Sequence, residues 1–428
     1  MRLIKATVLL AITLAVTSCK KDPFATKGSG EVKRNNLTVH VSDTCTSPVI
    51  LWEKATINTS AANVASASSA TIDRNNNLYV AGIFRGTVDI DPGPGIFNLT
   101  GKGAYVQKLD VNGKFIGARQ VPLDYEDYNI PLLYYEKGFT DVDVDAGGNV
   151  ILTTFAKGLV NIYKAGSSGN QIFQLTLRSA GESPVQTAVD SKGDLIIIGS
   201  YGGPDKERFD IDPGTGVYNT PASGSGIYVL KLNSGGKFQY ARFYTDLTRI
   251  WDLKIDKADN LYAVGLAYEN NKGIYHSFIK ADRKGNILLN KFSPSDNLYT
   301  PVSVDNSGNI FMGIESVPKK YNAQGNLLWA TNFTYDDVAL WIHAFSGDNK
   351  GNMYVATGTY WDNDESVFIK YNDKGQELWR GAIPGVTDAL RDPMFIVPDS
   401  QDNIILVISG SPPGGGGATR IIKYQACR

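Results

Sequence analysis

Cysteine, histidine and net charge are all scarce in this chain, and each shortage removes a class of function. Three histidines stand in 428 residues, His40, His276 and His343, and none has a metal-ligand spacing such as H-x-x-x-H. Cysteine is equally sparse, at Cys19, Cys45 and Cys427. No Gly-x-Ser-x-Gly elbow occurs, so no linear nucleophile motif is present. The formal net charge is −1 with no long basic run, which argues against nucleic acid as a principal partner. The apolar stretch at residues 6–16 is too short to span a bilayer as a mature helix. Helix-period patterning is scarce as well. What remains is 42% hydrophobic and 11% aromatic residues with 44 glycines, the composition of a turn-rich, all-β folding chain.

An internal repeat organises that chain. A turn of the form Asp-x-x-(Gly/Asn/Asp)-(Asn/Asp), followed by apolar residues, starts at Asp73, Asp145, Asp190, Asp256, Asp305, Asp348 and Asp399. The carboxylate can accept from backbone N–H groups just downstream, closing an Asx turn. The fourth and fifth positions hold Gly, Asn or Asp, types that tolerate left-handed backbone. Successive turns are 72, 45, 66, 49, 43 and 51 residues apart, a blade-sized period with loop insertions in the first and third units. Apolar segments before the turns (70–72, 140–144, 187–189, 251–255, 301–304, 342–345, 394–397) read as strands A, and the segments after them as strands B. Strands C are expected at 105–109, 160–163, 228–232, 278–281, 317–321, 368–371 and 420–424. Gly hairpins such as Asn112-Gly113, Lys284-Gly285 and Lys374-Gly375 then lead to strands D, as in GNLLWA and GQELWR. Four antiparallel strands, seven times over, predict a seven-bladed β-propeller. A lone four-stranded sheet is marginal, and stacking around a ring buries both its faces.

The seventh unit lacks a strand D. At the other end of the chain PVILWE, residues 48–53, matches GNLLWA and GQELWR, with Trp52 in the place of Trp329 and Trp379. The N-terminal strand is therefore expected to close the last blade. The organisation expected is a leader at 1–18, a tether at 19–46 and a propeller at 47–428.

Within the leader, Val16-Thr17-Ser18-Cys19 resembles the lipobox of bacterial lipoproteins. The resemblance implies cleavage before Cys19, acylation of that residue and a membrane partner through the lipid. Each buried CH₂ of such a chain contributes about 0.8 kcal/mol. Cys19-Lys20-Lys21-Asp22 resembles the start of Bacteroidota-type envelope lipoproteins, which implies the outer membrane, with its periplasmic and surface sides both open. Once Cys19 is acylated, Cys45 and Cys427 remain. They stand where a hairpin turn joins C to D in other blades, and a disulfide there would replace the missing turn. Its loop of 427 − 45 = 382 residues gives roughly 5 kcal/mol in the chain-entropy picture. Two free thiols are the alternative.

The units resemble SBBP-type bacterial β-propeller repeats and, more loosely, NHL repeats. Residues 73–82 and GTVDIDPGPGIFNL at 86–99, echoed by FDIDPGTGVYN at 209–219, carry the likeness. It implies the fold and says almost nothing of a ligand. YNAQGNLLW and YNDKGQELW also resemble repeats of quinone-dependent propeller dehydrogenases, in which the Trp docks between blades. Here Trp holds that place only at 52, 329 and 379, and seven units replace the eight usual in that family.

Strand alternation puts the A–B and C–D turns on one face and the B–C loops and D–A links on the other. The second face collects Tyr125, Tyr128, Tyr268, Tyr335, Trp341, Tyr360 and Trp361 among carboxylates and amides. Such side chains suit sugar faces or peptide segments. Capping of blade contacts is their other reading. Asp89 and Asp91, and likewise Asp210 and Asp212, alternate along an extended segment and could share a Ca²⁺. Two carboxylates alone are too few for that ion, and a turn-forming role before Pro-Gly is the alternative. The function expected is non-catalytic binding or scaffolding of a carbohydrate or protein through the loop-rich face. A polysaccharide hydrolase or lyase on the same face, and a structural component docked through the opposite one, are the other readings.

Overall fold

The computed structural model describes residues 48–425, apart from 123–139, 181–185, 203–207, 270–272, 295–301, 359–365, 384–393 and 411–416 and positions 59, 61, 157, 246, 248, 306, 315–316, 332–333, 336–337, 340 and 349. Cys19, Cys45 and Cys427 lie outside the described residues, as do the leader and the tether.

Seven four-stranded antiparallel sheets make seven blades in a ring. Blade 1 is Val64–Ile72, Leu78–Asp89, Asn98–Leu109 and Phe115–Pro122. Blade 2 is Thr140–Val144, Val150–Ala156, Leu159–Ala165 and Gln171–Arg178. Blade 3 is Gln186–Val189, Leu195–Tyr201, Gly226–Leu232 and Phe238–Tyr244. Blade 4 is Arg249–Ile255, Leu261–Glu269, Gly273–Ala281 and Ile287–Pro294. Blade 5 is Val302–Val304, Ile310–Ile314, Val317–Tyr321 and Leu327–Ala330. Blade 6 is Trp341–Gly347, Met353–Gly358, Val367–Tyr371 and Glu377–Ala382. Blade 7 takes Met394–Pro398, Ile404–Gly410 and Gly417–Tyr424 from the C-terminal end and Ile50–Asn58 from the N-terminal end. A small hairpin, Thr334–Tyr335 with Val338–Ala339, lies between blades 5 and 6.

Burial follows position in the blade. Leu195–Tyr201 is buried at every residue, because a middle strand has a neighbouring blade on each side. The outer strand Gln171–Arg178 alternates between exposed and partly covered residues. The core therefore lies between blades. Ile162 and Leu177 of blade 2 pack on Leu195 and Leu230 of blade 3, whose other side sets Ile198 and Val229 against Leu253 and Ala263 of blade 4.

In all seven A–B turns the leading Asp accepts from the second and fourth following N–H groups, at 2.8–3.0 Å. The residue between them is left-handed, with φ near 60° even at Asn76, Asp259 and Asp402. The C–D turns that start at Asp110, Asn233, Asp282, Asn322 and Asn372 repeat this arrangement.

The ring closes as expected. Ile50 lies opposite Tyr424 and Asn58 opposite Gly417, and the Gln425 N–H donates to the Val49 carbonyl at 2.8 Å. Trp52 Nε1 donates to the Val111 carbonyl of blade 1 at 3.2 Å. Trp329 Nε1 does the same to Asp373 of blade 6 at 3.0 Å. Each indole covers the glycine of the turn it reaches: a Cβ at Gly113 or Gly375 would fall 2.9 or 2.6 Å from the ring.

The two long intervals are not free loops. In blade 1, strands B and C run past the sheet, strand C beginning at Asn98 rather than near 105. The arm they form buries Val88, Ile90 and Leu99 against Phe84, Tyr105 and Phe115. In blade 3, Phe209 and Ile211 sink likewise into the core between blades 2 and 3. The apolar residues of the blade 3 insertion thus fill space between two blades, and those of the blade 1 insertion pack on their own blade.

Candidate functional site

The turn face is built on a lysine that the repeat carries in every copy. Lys108, Lys164, Lys231, Lys280, Lys320, Lys370 and Lys423 each stand two residues before the first position of the C–D turn or its equivalent. Four ammonium groups meet the Asx carboxylate of their own blade. Lys164 lies 3.0 Å from Asp145, Lys231 2.5 Å from Asp190, Lys423 2.8 Å from Asp399 and Lys108 3.6 Å from Asp73. The same groups reach the next blade. Lys164 donates to the Gly193 and Ser234 carbonyls at 3.4 and 3.1 Å. Lys280 reaches Ala323 at 3.0 Å, Lys320 Gly351 at 2.9 Å and Lys423 Val111 at 3.3 Å. That one lysine touches both an A–B and a C–D turn puts the two kinds of turn on one face. Burial alone would push the Asp145 carboxyl up, but the Asn149 side chain, Lys164 and the turn N–H groups outweigh it and hold it below the usual range. Asp73 and Asp256 are held low in the same way by Asn77 and Asn260.

A second network lines the central channel. Strand A is the inner edge of its blade, so its outward N–H groups lack a ladder partner. Short acceptors from the preceding blade supply one. Ser69 Oγ accepts from Val142 N–H at 3.2 Å. Asp141 accepts from Ser69 Oγ at 2.7 Å and Thr187 N–H at 3.0 Å, and Asp143 from Val189 N–H at 2.9 Å. Asp252 accepts from Val302 N–H at 3.3 Å and Ser303 Oγ from Gly347 N–H at 3.1 Å. Lys254 lies 3.6 Å from Asp252 and feels Asp141 and Asp143 from two blades away. Half of its side-chain surface is exposed. Asp252 and the two more distant carboxylates outweigh desolvation and raise the lysine above its ordinary value. Burial, with Asp141 beside it, pushes the Asp143 carboxyl up to about 7.

That shift sets a pH dependence. The unfolded Asp143 ionises near 3.8 and the folded one near 7, so between these values the folded state holds a proton that the unfolded state has released. Stability falls as pH rises through this window. Thermal melts are expected to show a midpoint that falls from pH 5 to about 7 and then levels off, with a shallower fall in Asp143→Asn. Equal slopes would remove Asp143 as the cause. The depressed turn carboxylates act in the opposite sense: their stabilisation is present above about pH 4 and is lost as pH falls below it.

The aromatic residues expected to bind are placed unevenly. Tyr125, Tyr128, Tyr360 and Trp361 lie outside the described residues. Tyr268 is the last residue but one of strand B in blade 4, opposite Ile274. Tyr335 is opposite Val338 in the small hairpin. Trp341, expected in a link, is the first residue of strand A in blade 6 and pairs with Gly358. All three belong to strand ends remote from the Asx turns, which is the loop face. His276 and His343 sit on strand C of blade 4 and strand A of blade 6.

The paired aspartates hold the arm tips. Asp89 Oδ1 accepts from Asp91 and Phe97 N–H groups at 3.1 and 2.9 Å, and Asp91 Oδ1 from Gly93 at 2.7 Å. Asp210 and Asp212 repeat the pattern with Asp212, Tyr218 and Gly214. Among the described residues no group of three or more His, Cys, Asp or Glu gathers to hold a metal. Each tip leaves an aliphatic side chain largely in water, Ile96 at 79% and Val217 at 72% exposure, with Phe97 and Tyr218 beside them partly exposed. On the turn face a cavity of about 230 Å³ opens between blades 6, 7 and 1, bordered by Arg74, Asn76, Asp348 and Ser400.

Fold and faces together define a seven-bladed β-propeller with one stereotyped, internally bonded face. No sequence-family profile matches the chain. An uncharacterized WD repeat-containing protein L264 of Acanthamoeba polyphaga mimivirus is 23% identical over 468 aligned residues. That match takes in 85% of this chain, which spans only 32% of the viral protein's length. Among solved structures, a chain of a mitotic checkpoint complex superposes with a TM-score of 0.53 at 10% identity, over 94% of this chain and 100% of that one. A polysaccharide lyase of family PL25, an ulvan lyase, reaches 0.48 at 13% identity over 88% and 95%. The superposition on the checkpoint-complex chain agrees with the propeller fold and goes no further.

Proposed function

We propose that the chain is a lipid-anchored cell-envelope propeller that binds a carbohydrate or protein ligand through its B–C and D–A loops without transforming it. One observation carries the reading. The turn face spends its Asx carboxylates and strand-C lysines on blade-to-blade bonds, so its chemistry is fixed by the ring. Variation in length and aromatic content falls on the opposite face, where Tyr268, Tyr335 and Trp341 stand. The lipobox at Cys19 supplies the anchor. The Cys45–Cys427 disulfide belongs to the same proposal, since the ladder ends at Ile50 and Tyr424, a few residues short of both cysteines.

Glycan and peptide arrays probed with the chain from residue 40 onward test the binding reading. Capture of one glycan or peptide class, weakened at least tenfold by Trp341→Ala, is the expected result. Depolymerisation of a captured polysaccharide would replace binding by catalysis. Labelled palmitate entering the wild type but not Cys19→Ser tests the anchor, and a mobility shift on reduction tests the disulfide.

A further inference from the structure

We propose that the interface between blades 7 and 1, where the two ends of the chain meet, holds a small cluster of buried ordered water. Twelve buried side-chain nitrogen and oxygen atoms lack a partner among the described residues, and six of them belong to this one interface of seven. They are Thr56 Oγ1, Asn58 Nδ2, Tyr105 Oη, both amide atoms of Gln107 and Thr419 Oγ1.

These atoms are neighbours. Thr56 lies opposite Thr419 in the closing ladder, and Asn58 is two residues along on the same face. Tyr105 of blade 1 faces Thr419 across the interface, close enough for that hydroxyl to offset part of the burial that raises the phenol, and the pair leaves the Gln107 amide and Thr56 unserved. Gln107 follows Tyr105 by two positions on the same strand and has no exposed surface. Burial of a dry amide and three dry hydroxyls would cost as much as a domain's whole net stability. Water resolves the conflict, because the group set is mixed: Gln107 and Asn58 supply amide donors, Gln107 an acceptor, and the hydroxyls act either way.

The molecule contains its own control. The interface between blades 2 and 3 is built alike and carries the other folded arm. There Leu177, Val160 and Leu230 occupy the places of Thr56, Thr419 and Gln107, all buried in one apolar cluster, with Val160 opposite Leu177. Tyr228, in the place of Tyr105, donates to the Arg178 carbonyl at 2.9 Å. Nothing in the blade geometry requires polar residues at these positions. Their presence at 7–1, together with six buried polar atoms that lack a protein partner, marks a site built for a polar occupant small enough to be enclosed.

The test is a crystal structure of the full chain at a resolution that shows ordered solvent. About two or three water peaks are expected within hydrogen-bonding reach of Gln107, Thr56 and Thr419, since each enclosed water needs two to four partners. Empty density, or a direct bond between Gln107 and Thr419, overturns the proposal. A second arm grafts the dry interface: Thr56→Leu, Thr419→Val and Gln107→Leu together. Oxygen-17 relaxation dispersion should count about two or three fewer long-lived waters, and the added carbons should occupy the vacated space. An unchanged count overturns the proposal. Should the triple variant fail to fold, Gln107→Leu alone and the wild-type density decide the matter.

Discussion

A chain that begins at Ser60 is expected to lose its cooperative melting transition and to elute as large aggregates, whereas a chain that begins at residue 40 melts sharply as a monomer. The difference is one strand. Ile50–Asn58 pairs along Gly417–Tyr424, and its loss strips the backbone partners from the outer side of strand C in blade 7. Each backbone hydrogen bond contributes about 1 kcal/mol net. The strand also carries Trp52, whose indole bridges to Val111, and Glu53, which pairs with Arg420 at 2.7 Å. The total lost exceeds about 5 kcal/mol, a large share of the 5–15 kcal/mol typical of a domain. It also opens a long, apolar strand edge, which recruits other chains. A peptide of residues 47–59 added in trans should restore the monomer. Equal midpoints for the two chains would show that ring closure contributes little to stability.

That closing strand was legible before any coordinates, because Trp52 repeats the local context of Trp329 and Trp379. The reason is visible at Trp52 and Trp329, where the indole covers the turn glycine of the next blade; Trp379 faces blade 7, whose strands C and D come from opposite ends of the chain, and packs on Tyr354 and Phe368. The Asx turns were legible on the same ground, since five positions of local chemistry fix them. The Asp-Ile-Asp-Pro-Gly insertions were half legible. Their length stands out, but Ile90 is buried against the folded-back arm of its own blade and Ile211 between blades 2 and 3, and no local pattern records either packing. The strand-C lysines give no such sign, although all seven copies carry one. A lysine between apolar residues reads as a solvent-facing position. Lys164 and Lys423 are buried instead, because the carboxylate that receives each comes from a turn some twenty residues earlier. The channel carboxylates depend on contacts between blades and left no signal beyond alternate polar residues in strand A. The loop-face aromatics could be assigned to a face by strand direction alone, which is as far as topology reaches.

Removing the charge of Asp399 is expected to cost about 3–5 kcal/mol, the range for one member of a buried pair. Asp399 and Lys423 are almost wholly buried and 2.8 Å apart. In Asp399→Asn the turn acceptor for Gln401 and Asn403 survives, but the Lys423 ammonium keeps only the Val111 carbonyl as a partner. Lys423→Met should cost less, about 1–3 kcal/mol, because Asp399 still accepts from two backbone N–H groups and the Asn403 amide. The double variant should fall well short of the sum, since neither charge is then stranded. Urea unfolding of the four proteins measures the coupling, and strict additivity would mean that the pair is incidental. Blade 1 supplies the contrast. Lys108 is 3.6 Å from Asp73 and a quarter exposed, so solvent screens the pair and Asp73→Asn should show a coupling below about 1 kcal/mol. A large coupling in blade 7 beside a small one in blade 1 would locate the stabilisation in burial between blades. Equal couplings would locate it in the Asx turn itself, which the two blades share.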